Sequence, residues 1–507
     1  MTDGLSRRRL LAGAGTVASG AVLGGVAGAS RGDGVSGADA VGELPLRWNR
    51  TYSNATYNGA TSVVEGDDGL VVLGQSGAQP TGIPGWLFGA DATSGDGEWM
   101  ATIANAESQR RPTFQEHVPA VDGDGYALLG MATRSGTVAF VRTGPDGDVQ
   151  WWRTYESDSG GDGGLLARDV IASADGYVIA GTDVRSGSAS GLVVRVGPEG
   201  EERSRTRLFT DRQSEILSVV PDGDGYVGTA AIQDSSGGQA TIRSVVFRAG
   251  ANDEVQWREA FTAPTEDAAL AQNQLVDIAP AGDGYVAAGF AASRSLDTFD
   301  GWVLSVDGSG SQRATRRLSP EPATRFSAVA DTADGTVVAG QGGESAGAQT
   351  GVGVVGELGD GLEANWSRTV SVGATNNVRD VTGTADGGVA LAGITQYQSE
   401  GADPRSEAWL VKLGGDDAPQ VTATAPSTDA PSSTATATPS RTPTPSPTPS
   451  PTATATATAT PAPTDEAMPT RTEPEETTAG DGAGFGVGAA LAAIGGTALY
   501  ERVRDGD

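Results

Sequence analysis

The chain has 507 residues, 64 acidic and 34 basic side chains, and a formal net charge of −30. A chain this acidic is repelled by phosphate backbones, which argues against a nucleic-acid partner. It has no cysteine and one histidine, His117, so disulfides, thiolate metal sites and paired-histidine zinc sites are excluded.

The first 29 residues read as an export signal, and residues 30–44 as a short linker. Arginines precede a Gly/Ala-rich apolar stretch that ends in small residues. The segment resembles a twin-arginine signal peptide, which implies export of a folded protein by the Tat machinery. The alternative is an uncleaved membrane anchor. The motif residues are Arg7, Arg8, Leu10 and Leu11, and cleavage is predicted between Ala29 and Ser30.

Residues 45–415 repeat one pattern seven times, with a mean spacing of about 53 residues. The clearest copies are 124–130, 175–181 and 283–289, each an Asp-Gly-Tyr followed by apolar residues and a Gly. Asp-Gly between apolar runs is a strong hairpin signal. Each unit is predicted to form four short strands, and no helical pattern occurs in this region.

The two ends of this region complement each other. The seventh unit stops after its third strand, at Gly415, whereas residues 46–52 match the fourth strand of the second unit, 149–155. We therefore expect the N-terminal strand to lie beside Trp409 to Leu413 and close a ring. The predicted fold is all-β, a seven-bladed β-propeller with four-stranded blades.

The repeats resemble a broad group of secreted propeller proteins, over about residues 45–415. The group's Asp-Gly-x-Tyr-x-x-x-Gly pattern, present here as Asp-Gly-Tyr-x-x-x-Gly, and Trp-Leu-x-Lys carry the resemblance, which implies the fold and no common activity. Residues 89–95, before Trp99, also resemble one repeat of quinone-cofactor (PQQ) propellers. PQQ is therefore a weak cofactor alternative, and the leading expectation is no cofactor.

No residue set in the body predicts chemistry. His117 is expected just before the first strand of the second unit, as a surface or packing residue. The tryptophans, all at repeat positions, are expected to pack between blades. The doubled turns Asp122–Gly125 and Asp222–Gly225 suggest Ca²⁺ loops, but no Glu ligand follows at the right place, so plain hairpin turns are expected. No catalytic, cofactor-binding or metal residue is predicted.

Three glycosylation sequons begin at Asn49, Asn54 and Asn365. Asn54 is the best placed, just past a predicted strand, whereas Asn49 and Asn365 lie within predicted fourth strands. Whether any of them carries a glycan is left open.

The C-terminal part reads as a stalk and a sorting tail. Residues 416–483 are rich in Thr, Pro, Ser and Ala, a composition that predicts a disordered stalk that could span up to ~200 Å. Residues 484–507 are predicted to form a short apolar helix. Around Gly484, Phe485 and Gly486 the tail resembles the PGF-CTERM signal, which implies an archaeosortase-like enzyme and a lipid anchor. A retained membrane helix is the alternative, because the usual Pro is Ala483.

The basic residues suggest the origin of the chain. Lys412 is the only lysine among the 34 basic residues. This acidic, lysine-poor composition resembles that of proteins from extremely halophilic archaea.

These features predict a non-enzymatic cell-surface protein, held outside the membrane at its C-terminus, for binding an unknown surface ligand, adhesion or envelope structure. The alternative is an extracellular propeller enzyme, either a quinone-dependent dehydrogenase or a hydrolase or lyase.

Overall fold

A computed structural model describes residues 44–415, except for short gaps at 79–82, 105–111, 133–135, 159–162, 186–187, 235–240, 265–269, 294–298, 334, 344–350 and 398–404. The predicted signal, stalk and sorting tail lie outside the described residues. Within them every regular element is a β-strand.

The first half of the chain contributes seventeen strands. They are β1 (Leu46–Tyr52), β2 (Tyr57–Gly66), β3 (Gly69–Gly77), β4 (Gly85–Ala90), β5 (Gly97–Ile103), β6 (Thr113–Pro119), β7 (Tyr126–Ala132), β8 (Thr137–Thr143), β9 (Val149–Glu156), β10 (Gly164–Ser173), β11 (Gly176–Arg185), β12 (Ser188–Val196), β13 (Glu202–Leu208), β14 (Ser214–Asp222), β15 (Gly225–Asp234), β16 (Thr241–Ala249) and β17 (Val255–Phe261).

The second half contributes the remaining strands described. They are β18 (Leu270–Ala281), β19 (Gly284–Ser293), β20 (Phe299–Asp307), β21 (Gln312–Leu318), β22 (Arg325–Thr332), β23 (Gly335–Gly342), β24 (Val352–Leu358), β25 (Ala364–Val370), β26 (Thr375–Gly383), β27 (Val389–Tyr397) and β28 (Arg405–Leu413).

These strands form five sheets, three with four strands and two with eight. Each eight-stranded sheet consists of two antiparallel runs of four strands, joined by one parallel residue pair, Tyr57–Ser406 or Ile242–Gln272. The runs of four are β2–β5, β6–β9, β10–β13, β14–β17, β18–β21, β22–β25, and β26–β28 completed by β1. We call each of these a run.

The runs stand side by side in a ring. The first strand of each run contacts the first strand of the next, and β26 contacts β2. The apolar core lies between neighbouring runs: one cluster joins Tyr52 on β1 and Leu410 on β28 to Phe88 on β4. A ring of four-stranded antiparallel sheets with their first strands innermost is the arrangement of a β-propeller.

The predicted pairing of the first strand with the last is confirmed. β1 is antiparallel to β28, with Thr51 opposite Trp409 and Tyr52 opposite Ala408. The Asn49 amide oxygen accepts a hydrogen bond from Trp409 Nε1 at 2.6 Å. The N-terminal strand therefore completes the sheet that the C-terminal strands begin.

The fourth strand of a run packs against a glycine turn of the following run. Gly95, at φ +72°, lies in the turn between β4 and β5, where a Cβ would come within 2.8 Å of Trp48 and 2.9 Å of Arg50 on β1. Tyr52 donates to the Gly95 carbonyl at 2.5 Å. The motif shared by residues 48–52 and 151–155 thus makes contacts between runs.

The same contacts occur two runs later. A Cβ at Gly200, at φ +80°, would meet Trp151 and Arg153 of β9, and Tyr155 donates to the Gly200 carbonyl at 3.0 Å. All nine tryptophans lie at repeat positions, and none is fully exposed. This supports the prediction that they pack between blades.

The two faces of the ring differ. Because successive strands alternate in direction, the turns after the first and third strands of each run share one face, for example 120–125 and 144–148. We call this the turn face, and the opposite side, which carries connections such as 53–56 and 209–213, the loop face. Both β1 at its start and β28 at its end lie on the turn face.

Candidate functional site

The central channel is lined by the first strand of every run. Each of these strands contains a β-bulge at the same place, as in β10, where the register shifts between Ala167 and Asp169. A bulge re-aims the side chains beside it. The residues directly after the bulges are Ser62, Glu116, Asp169, Ser218, Asp277, Ala328 and Asp380.

Three aspartates of this set hold neighbouring runs together. Asp169 accepts the amides of Val170 on its own strand and Val219 on the next run, at 2.7 and 2.8 Å. Asp277 does the same with Ile278 and Val329, and also accepts from Ser218 at 2.8 Å.

Asp380 makes the corresponding link across the ring closure. It accepts from Val381 and from Val63 of β2, each at 2.7 Å. This bond therefore joins the last run to the first.

These carboxyl groups lie deep in the molecule yet keep some accessible surface, as expected beside a channel. Burial raises the pKa of Asp169 and of Asp380 to about 7, against the lowering effect of their amide partners. Burial also raises the pKa of Asp277 and, well above its usual range, that of Glu116, where the charges of Asp380 and Asp169 add to the effect. The ring is thus partly protonated near neutral pH.

This protonation gives stability a defined dependence on pH. Asp169 and Asp380 bind a proton more readily when folded, so their contribution falls as pH rises from about 4 through about 7. Burial lowers the pKa of His117 to about 3, so the contribution of His117 to stability falls as pH drops below about 6.5. Because four raised carboxyl groups oppose one histidine, we expect a higher free energy of unfolding at about pH 5.5 than at about pH 8.

Urea unfolding in molar salt would measure this difference, because such salt screens the repulsion of the −30 net charge. Equal stability at the two pH values, or greater stability at the higher one, would contradict the protonated ring.

His117 belongs to a buried cluster with Ser62 and Glu116. The Ser62 hydroxyl contacts the Glu116 carboxyl and lies 2.9 Å from His117 Nδ1, while His117 Nε2 lies 3.2 Å from the Val71 carbonyl. Because the Val71 carbonyl can only accept, His117 Nε2 is the donor and Nδ1 is the acceptor that faces Ser62, while Glu116 also accepts the His117 amide at 3.0 Å. Ser62 and His117 have no accessible surface. The cluster therefore links β2 to β6 and offers no exposed nucleophile.

The sequence placed His117 just before the first strand of its unit, and this was wrong. It lies within β6, where the bulge between Phe114 and Glu116 turns it inward.

The turns considered for calcium have arginine partners. Asp122 binds Arg142 at 2.5 Å, and Asp222 forms an ion pair with Arg248. Asp386 pairs in the same way with Lys412 at 2.7 Å. The described residues contain no group of His, Asp and Glu arranged to hold a metal ion.

The segment that resembles a quinone-cofactor repeat forms a turn. Asp91 Oδ1 accepts the amides of Thr93 and Ser94 at 3.0 and 2.7 Å, which lowers the pKa of Asp91. Trp48 Nε1 donates to the Ala92 carbonyl at 3.0 Å. These contacts hold the turn against β1.

The three sequons differ in their surroundings. Asn54 is exposed on the loop face, and Asn365 is exposed with its Nδ2 donating to Glu357 at 2.9 Å. Asn49 is held on both sides, because it accepts from Trp409 and its Nδ2 donates to the Ser371 carbonyl at 3.1 Å. A glycan on Asn49 would replace one of the two Nδ2 hydrogens, beside the bond to Ser371.

The channel residues are the part of the site that the sequence analysis missed. The residue after each bulge stands six positions before an Asp-Gly aspartate in all seven units, as in Asp169–Asp175 and Asp277–Asp283. That spacing could have identified them. The predicted signal and sorting residues, Arg7 to Ser30 and Gly484 to Gly486, lie outside the described residues. In the described ranges there is no helix with the length and apolar character needed to cross a bilayer.

No family model and no curated protein matches the chain. Among solved structures it is similar to Drosophila Plexin A in complex with Semaphorin 1b, at 9% identity and a TM-score of 0.44, over 73% of this chain and 87% of that one. It is also similar to the β-propeller domain of the Trilobed protease from Pyrococcus furiosus, at 9% identity and a TM-score of 0.40, over 74% of this chain and all of that one. A third similar structure is a 6-phosphogluconolactonase-like protein of Bacteroides uniformis, at 14% identity and a TM-score of 0.38, over 62% and 86%.

Proposed function

We propose that the chain forms a closed seven-bladed propeller, in which each run is one blade. The two eight-stranded sheets support this reading, because each divides at a single parallel pair into two runs. The pairing of β1 with β28 supplies the fourth strand of the last blade.

We further propose that this propeller is a non-enzymatic cell-surface protein of a halophilic cell. It is exported by the Tat route and held outside the membrane by its C-terminal tail, through a lipid added by an archaeosortase-like enzyme or through a retained helix. Its role is binding, adhesion or envelope structure. The burial of Ser62 and His117 supports the non-enzymatic reading, because they offer no accessible nucleophile.

One observation carries the proposal: both ends of the described chain are fastened together on the turn face. The Gly414 amide donates to the Pro45 carbonyl at 2.8 Å, and Arg47 Nε donates to the Gly414 carbonyl at 2.8 Å. Arg368 also donates to the Leu44 carbonyl at 3.1 Å. A tether at residue 416 therefore leaves the loop face free for a ligand.

Single cysteines test this display, because the chain has none of its own. Ser53→Cys lies on the loop face and Asp146→Cys on the turn face, and both positions are exposed. We expect a bulky, membrane-impermeant maleimide to label both variants on intact cells. Deleting the stalk, residues 416–483, should slow labelling of Asp146→Cys several-fold and leave Ser53→Cys unchanged, because the turn face then lies against the membrane.

Two controls complete the experiment. Replacing Arg7 and Arg8 by Lys should abolish labelling of both variants from outside, and purified protein should label equally at both positions. Absence of labelling on intact cells would refute surface display. Equal slowing at both positions in the stalk-deleted protein would refute the assigned orientation.

A further inference from the structure

Two arginines on the channel wall have no polar partner within the part of the chain that the structure describes. In the described ranges, every other buried or half-buried arginine donates to a carboxylate or a backbone carbonyl. Arg325 on β22 and Arg379 on β26 do neither, although both are only partly exposed, and Arg379 Nε is buried without a partner. This is unexpected in a chain with 64 acidic residues.

The repeat provides an internal comparison for Arg379. It occupies the bulge of its strand, as Arg168 does in β10. Arg168 Nε donates to Glu215, which lies three residues before Ser218 on the next run. The residue in the place of Glu215 on the run that follows Arg379 is Gly59, which has no side chain. Arg379 therefore lacks the counter-ion that its equivalent has.

Arg325 places a positive charge where another run has a negative one. It occupies on β22 the position that Glu215 occupies on β14, directly before the residue that precedes the bulge. Its guanidinium lies 4.4 Å from the centre of the Phe299 ring, and Phe299 packs on Phe290 at 5.5 Å. Stacking on an aromatic ring orients the guanidinium plane without satisfying its N–H donors.

The two guanidinium groups also repel each other. Burial lowers the pKa of Arg379, and the nearby charge of Arg325 lowers it further. Burial lowers the pKa of Arg325 as well. Arginine stays charged in proteins, so this wall carries two partly desolvated positive charges with their donors unused. Bound carboxylates, phosphates and sulfates satisfy such donors in pairs.

We propose that Arg325 and Arg379 form a binding site for an oxyanion, the carboxylate, phosphate or sulfate group of a small ligand that enters the channel. This inference goes beyond the proposed surface display and does not depend on where the protein is located. A bound oxyanion supplies the counter-charge that Glu215 supplies to Arg168, and it relieves the repulsion between the two arginines.

Thermal unfolding of the full chain tests the site, with sodium sulfate, phosphate or acetate replacing chloride at constant ionic strength. We expect at least one oxyanion to raise the melting temperature by a few degrees in a saturable way. General salt effects on burial do not saturate, so the saturable part identifies binding. The acetate arm against the phosphate and sulfate arms distinguishes a carboxylate ligand from the other two.

Matched variants locate the effect. Arg379→Gln and Arg325→Gln should each need at least tenfold more anion for the same shift, whereas Arg207→Gln, an exposed arginine on β13, should respond as the parent does. In chloride, Arg379→Gln should melt no lower than the parent, because it removes a repelled charge, so a lost response does not reflect unfolding. A response to oxyanions that is unchanged in both channel variants, or no stronger than the response to chloride, would overturn the proposal.

Discussion

Removing the N-terminal strand is expected to leave the rest of the propeller barely folded. A chain trimmed to start at Ala55 loses β1, including Trp48 and Tyr52, which are 7% and 5% exposed. It also exposes the edge of β28 and leaves Trp409 Nε1 without its partner Asn49. Deleting one large buried aromatic side chain costs about 3–5 kcal/mol. Two such losses approach the whole stability of a typical domain, about 5–15 kcal/mol.

Urea unfolding of the trimmed and parent chains measures the effect. A chain that ends at Gly415 is the control, and we expect it to unfold like the parent, because the turn face contacts it retains include the Gly414–Pro45 bond. A synthetic peptide covering residues 44–54 should restore part of the lost stability to the trimmed chain. A trimmed chain as stable as the parent would show that β1 is not needed to close the ring.

The architecture could be predicted because its signals are local. Asp-Gly turns such as Asp175–Gly176 fix where a first strand ends and a second begins, and the hairpin partners are neighbours in sequence. The match between residues 48–52 and 151–155 identified the displaced strand. The two segments have the same Trp-x-Arg-Thr-Tyr series because each packs against a glycine turn of the following run. Gly95 and Gly200 are the two partners in that match.

The channel could not be predicted in the same way, because its bonds join residues 50 or more positions apart. Asp277 was visible in the sequence, but its partner Val329 belongs to another repeat. The absence of a counter-ion for Arg379 is still less local, since it depends on Gly59, at the other end of the folded region. Such relations follow from ring closure, which periodicity alone does not determine.

The largest single-residue effect is expected at Asp277. Replacing it by Ala leaves the amides of Ile278 and Val329 without an acceptor. It also removes one of the two carboxyl partners of the Ser218 hydroxyl, which bonds to Asp169 as well. Each buried donor left unsatisfied costs about 1–3 kcal/mol, so the loss of both amide bonds should cost roughly 2–6 kcal/mol. The Val329 bond also joins two neighbouring runs, so its loss weakens the interface between them.

The variant Asp277→Asn keeps the shape of the side chain and changes its hydrogen-bonding groups. It therefore separates the effect of the lost hydrogen bonds on stability from the effect of the lost side-chain volume. Asn keeps one acceptor oxygen but turns an NH₂ group toward a donor, so we expect it to lose about half as much stability as Ala. Asp331→Ala removes an exposed carboxylate on the neighbouring strand β22 and should change the free energy of unfolding by less than about 0.5 kcal/mol. Urea unfolding compares the three variants. If Asp277→Ala were as stable as Asp331→Ala, the aspartate would not hold the runs together, and the channel ring would have to be stabilised by the apolar contacts between sheets alone.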